Sequence, residues 1–189
     1  MKHFVCLILF FSFCLNAQEA QPSEKFWAQL QQHCGKVYEG WITHGAVPKD
    51  GFTGEKLIMH VRTCDENIIR IPFFVGEDKS RTWILKLNDD KTIQLQHDHR
   101  HPDGTEENEN FYGGNSTNAG LENLQMFPAD VHTANIIPAA ASNVWWFTID
   151  EESFTYNLRR VGSDRYFSVY FDLTENLDEI PDAPWGIKE

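Results

Sequence analysis

The chain has 189 residues, a formal net charge of −12 and 13% aromatic residues. Such an acidic chain has no general electrostatic attraction to nucleic acid or to an anionic membrane surface, which sets aside those partner classes. The aromatic content suits a β-rich core or a ligand cavity.

Met1–Ala17 reads as a cleavable signal peptide. Lys2 and His3 precede an apolar run, Phe4–Leu15, of about a dozen residues, too short to span a bilayer comfortably, and Leu15-Asn16-Ala17 offers a small residue before the cut. The expectation is a secreted or periplasmic protein with no membrane insertion, residues 18–189 forming one domain and acting as a monomer. Cys6 and Cys14 would leave with the leader, so Cys34 and Cys64 remain. In an oxidising compartment a disulfide is the natural reading; a metal site and two free thiols are the alternatives.

Ser23 can cap a short helix carrying Phe26, Trp27 and Leu30 at helical spacing, and Gly35 is a good stop. A succession of strands then follows. Lys36–His44 is the first. Lys56–Cys64 and Asn67–Val75 alternate, with a hairpin turn at Asp65-Glu66-Asn67 between them. Pro72 cannot donate to a ladder and suggests an edge or a bulge. Arg81–Leu87 places Trp83, Leu85 and Leu87 on one face, and Asn88–Lys91 turns the chain into Thr92–Gly104.

That stretch carries the candidate chemistry. If alternation holds throughout, Ile93, Leu95, His97, His99 and His101 share one face, so three imidazoles continue an apolar face inward. Gln94, Gln96, Asp98 and Arg100 then face water. Residues 103–122 read as a long ordered loop with one short strand near Phe111, and Phe127-Pro128-Ala129-Asp130 opens a second irregular region containing His132. Asn143–Ile149, Phe154–Arg160 and Arg165–Leu173 complete a set of eight or nine strands. With no βαβ rhythm, the expected fold is mainly β, an antiparallel up-and-down barrel or a sandwich, with a short N-terminal helix.

Leu30, Gly35 and Tyr38-Glu39-Gly40-Trp41 resemble the opening of calycin-type barrels, where a short helix precedes a glycine and an aromatic residue on the first strand. The lipocalin Gly-x-Trp pattern is not reproduced, since Gly35-Lys36-Val37 lacks the tryptophan. The chain also resembles uncharacterised secreted bacterial proteins carrying elements like His97-Asp98-His99-Arg100-His101, Tyr112-Gly113-Gly114 and Phe127-Pro128-Ala129-Asp130. The calycin likeness implies a cavity for a small apolar or haem-like ligand.

Two functional readings follow. In the first the protein is a small-ligand-binding barrel whose site includes His97, His99, His101, Trp83 and Tyr112. In the second it is a metal-dependent hydrolase or lyase. Imidazoles two apart on a strand lie roughly 6.6 Å apart at Cα and point the same way, so His97 and His99 can share a zinc ion. Asp103 and His132 are candidate further ligands, with Asp130 and His60 as alternatives, and a bound water would be acidified for attack. A bland alternative has the histidines hydrogen-bonding the following loop. The acidic run Asp103, Glu106, Glu107 and Glu109 lacks calcium-loop spacing and reads as solvated. Arg81, Arg100, Arg159 and Arg160 would form an anion site if they converged, but alternation separates Arg159 from Arg160 across the sheet and they read as scattered surface charges; no nucleophile elbow or phosphate loop is present.

Overall fold

The computed structural model describes residues 19–45 and 51–187, so the signal peptide expected at Met1–Ala17 lies outside the described residues. Helix α1 (Pro22–Gln31) starts from a capping box in which Gln21, not Ser23, is the cap: its side chain takes the Glu24 amide, and its own amide donates to Glu24 Oε2 at 3.0 Å. Ser23 is instead buried within the first turn. The chain leaves the helix through Gly35, at φ +81°, a left-handed position that glycine takes without strain.

Eleven strands follow among the described residues: β1 (Val37–His44), β2 (Leu57–His60), β3 (Thr63–Cys64), β4 (Ile68–Val75), β5 (Asp78–Leu87), β6 (Ile93–His99), β7 (Tyr112–Asn115), β8 (Leu124–Pro128), β9 (Asn143–Ile149), β10 (Ser153–Arg160) and β11 (Tyr166–Asp172). Helix α2 (Val131–Ile136) and a 3₁₀ turn (Pro138–Ala140) lie between β8 and β9. The strands form one sheet in the order β7-β6-β5-β4-β2-β1-β11-β10-β9-β8, with β3 set aside on β4. Every pairing is antiparallel. This is a mainly β, nearly closed antiparallel barrel with one short helix near the start, as the alternation predicts.

The edges β7 and β8 almost meet. Asp130 N donates to Gly113 O at 3.0 Å, and Thr133 Oγ1 accepts from Gly113 N at 2.7 Å. The start of α2 thus supplies the partners that a neighbouring strand would have supplied, which satisfies backbone groups that closure would otherwise strand.

Pro72 sits inside the sheet rather than at its edge. It pairs with Thr82 of β5, and on its other side the partner strand is interrupted between His60 and Thr63. Its missing N–H falls opposite that interruption.

The inward residues form one continuous core, from Tyr38, Met59 and Ile71 through Trp83 and Leu85 to Phe147, Phe154 and Phe171. Phe26, Trp27 and Leu30 of α1 plug one end of it. The helix is tied there by Glu24 to Lys91 at 3.0 Å and by Gln29 Nε2, which donates to Glu122 O at 2.7 Å. The other end, bounded by the end of β6 and the start of β9, is not covered by α1.

Cys34 and Cys64 form a disulfide with Cα atoms 6.1 Å apart across 30 residues of sequence. It joins the end of the α1 turn to β3. Removing it with Cys34→Ser should lower stability by about 3 kcal/mol, by restoring chain entropy to the unfolded state. Urea unfolding with and without reductant checks this: equal midpoints would show that the crosslink contributes nothing.

Candidate functional site

The end of the barrel away from α1 holds a cavity of about 590 Å³. Its position follows from alternation. Arg81 is in phase with Trp83 and Leu85 on β5, and His97 and His99 are in phase with Ile93 and Leu95 on β6. The register places Trp83 opposite His97 and Arg81 opposite His99, while Tyr112 of β7 lies opposite His97 on the other side.

Aromatic rings form the wall. Phe73 and Trp83 stack at 4.9 Å with planes 15° apart, and Trp83 and Tyr156 stack at 4.6 Å with planes 20° apart. The His97 ring lies parallel to that of Tyr112, 4.4 Å away and within 10°. Such offset stacks stabilise beyond their burial and hold each ring in place.

His97 is buried, and burial pushes its pKa down to about 3. It is therefore neutral, and its neighbours assign the tautomer. Nδ1 faces the Tyr112 carbonyl oxygen at 3.0 Å; that oxygen only accepts, so Nδ1 carries the proton. Nε2, 2.9 Å from the Tyr156 hydroxyl, then accepts from it. Burial also lowers His99, to about 4, with the Arg81 charge adding to the effect. The Tyr112 hydroxyl lies 3.1 Å from His99 Nε2, and Glu107 Oε2 lies 3.8 Å from Nδ1. A neutral ring with its N–H toward that carboxylate accepts from Tyr112 at Nε2. Burial raises the pKa of both tyrosines, so each keeps its proton to donate.

The residues expected at the site are only partly brought together. His97, His99, Trp83 and Tyr112 all border the cavity, and His101 does not. His101 is exposed, because β6 ends at His99 and the chain turns back through residues 101–105. The same turn covers Asp98, which is buried rather than facing water: Arg100 Nε donates to it at 2.7 Å and Asn110 Nδ2 at 3.3 Å. Asp103 is exposed and caps its own turn, accepting from the amide and hydroxyl of Thr105. His132 is exposed, with Nε2 3.0 Å from the Asn110 carbonyl oxygen. Among the described residues no three His, Cys, Asp or Glu side chains converge as metal ligands. His97 and His99 instead direct their Nε2 atoms at tyrosine hydroxyls.

Composition alone hides several residues of the site. Tyr156, Phe73, Arg81, Arg160 and Arg165 border the cavity, yet Arg81 and Arg160 read as scattered surface charge and Arg165 only as the start of a strand. Strand phase was the available signal. Arg160 follows Phe154, Tyr156 and Leu158 in step, and Arg81 precedes Trp83 in step. Trp145 also lines the cavity, whereas Trp41 and Trp146 lie outside the barrel against Tyr170 and Tyr166.

No family model matches the chain, and neither a curated protein nor a solved structure matches it.

Proposed function

We propose that the protein is an extracytoplasmic barrel that binds one small organic ligand in the cavity at its uncovered end. The observation that carries this reading is the cavity itself. At about 590 Å³ it falls in the range of small-molecule sites, and it combines aromatic walls with a few fixed polar groups. The hydroxyls of Tyr112 and Tyr156 and the rings of His97 and His99 hold one another in single orientations, which is the preorganisation that a specific site needs. The calycin-type likeness of the first strand agrees with an internal ligand. The Cys34–Cys64 disulfide supports an oxidising compartment, and no helix among the described residues is long and apolar enough to cross a membrane.

Native mass spectrometry of protein purified from an oxidising compartment, without chelator or histidine tag, tests the reading. One organic adduct per chain is the expected result, and Trp83→Ala should abolish it by removing the centre of the ring stack. A stoichiometric zinc increment in place of the organic adduct would overturn the reading and favour the metalloenzyme.

A further inference from the structure

We infer that the ligand is an organic anion with a flat apolar body, its charged group held at the cavity mouth by Arg160 and Arg165 with Arg81 on the facing wall. This rests on the reading of the cavity as a ligand site and assigns its charge.

The hairpin between β10 and β11 brings the first two arginines together. Arg160 N donates to Arg165 O at 3.0 Å, which continues the Arg159–Tyr166 register by one step. The two residues are thus directly opposite, and both border the cavity. Like charges opposite each other on one face of a sheet repel. Guanidinium groups cannot relieve this by losing a proton. Among the described residues neither Arg160 nor Arg165 has a carboxylate ion-pair partner. An anion between them removes the repulsion, and the guanidinium fork matches a carboxylate or sulfonate.

Arg160 is also held in place. Its Nε donates to Oδ1 of the buried Asn143 at 3.0 Å, which leaves its terminal nitrogens for the mouth. Arg81 enters the same space, paired with Asp78 and lying 5.2 Å over the Phe52 ring. The charges of both Arg81 and Arg165 reach the buried hydroxyls of Tyr112 and Tyr156, as those of Glu107 and Glu109 reach Tyr112. Glu109 and Asp164 also border the mouth and are exposed, as Arg165 is, and neither forms an ion pair with Arg160 or Arg165. Below the charges, the near-parallel rings of Phe73, Trp83 and Tyr156 make a wall suited to a flat body.

A matched pair of fluorescent probes tests the charge separately from the cavity. 8-Anilinonaphthalene-1-sulfonate and N-phenyl-1-naphthylamine share their ring systems and differ in the sulfonate. The folded protein should bind the sulfonate at least about tenfold more tightly, one or two charged hydrogen bonds being worth that factor, and added salt should shrink the difference. Arg160→Gln with Arg165→Gln should bring the two dissociation constants together by weakening the sulfonate alone. Arg165→Lys, an exposed and conservative change, should retain part of the preference. Equal binding of both probes by the unaltered protein, or a preference that survives the double substitution, would overturn the assignment of charge while leaving the cavity reading intact. Failure of both probes to bind would overturn the cavity reading and this inference with it.

Discussion

Stability should be level between about pH 8 and pH 7 and fall steeply from pH 6.5 to pH 4. An unfolded histidine titrates near its ordinary value of about 6.5. In the folded barrel, burial holds His97 at about 3 and His99 and His60 at about 4. Above pH 6.5 these imidazoles are neutral in both states and contribute no slope. Below it the unfolded chain takes up protons that the folded chain refuses, so acid favours unfolding. His97 alone should cost about 3 kcal/mol by pH 4, at about 1.4 kcal/mol for each pH unit in the window. His99, being only partly enclosed, adds less. A domain of ordinary stability, about 5–15 kcal/mol, loses much of its margin this way. Urea unfolding at each pH from 8 to 4 measures the effect. The slope below pH 6 should exceed one proton, and His97→Gln should reduce it by about one. A stability that stays level down to pH 4.5 would mean that these rings are not buried as neutral groups.

That dependence rests on a feature visible in the sequence. The alternation Ile93, Leu95, His97, His99 reads as an inward face, and the barrel places all four inward. The same period correctly places Trp83, Tyr156 and the strands around them. Turns were legible where Asp and Asn cluster, as at Asp65-Glu66-Asn67 and Asn88–Lys91. The alternation gave out at His101, because a period carries no signal of where pairing stops. What ends the inward face is the returning loop: Arg100 bridges to Glu106, and the Glu107 amide donates to His99 O.

Two other elements were hidden for physical reasons. Strand β8 reads as irregular because one of its inward residues is the fully buried Gln125, while the apolar Met126 is exposed, which inverts the expected pattern. Helix α2 spans six residues, too few to display a helical period. Its one local sign is Asp130, whose side chain caps the Thr133 amide at 2.7 Å. Both elements border the near-closure of the barrel, so the feature that makes the sheet a barrel was the least legible part of the chain.

That near-closure depends on Gly113-Gly114, and Gly114→Ala should be among the most damaging single substitutions available. A β-carbon on Gly114 would overlap the Pro128 carbonyl oxygen, with the Asp130 amide close behind. A β-carbon on Gly113 would overlap the Leu95 carbonyl oxygen on the opposite side. Both obstacles are backbone, which no rotamer change can move aside. β7 can therefore admit a side chain there only by separating from β8 or from β6. Separation from β8 breaks the bonds of Gly113 with Asp130 and Thr133 and leaves buried backbone groups unpaired. Three lost bonds with the accompanying strain should cost about 3 kcal/mol or more. The same movement keeps Tyr112 beside His97 on β6 but carries it away from Trp145 on β9, so the cavity should lose its shape. Thermal unfolding gives the stability, and amide exchange at Asp130 and Gly113 reports the opening directly. Exchange should accelerate at those two amides and stay slow at the β4–β5 ladder on the far wall. If Gly114→Ala melts with the parent chain and protects the Asp130 amide equally well, β7 and β8 are not held at the distance on which the closed cavity depends.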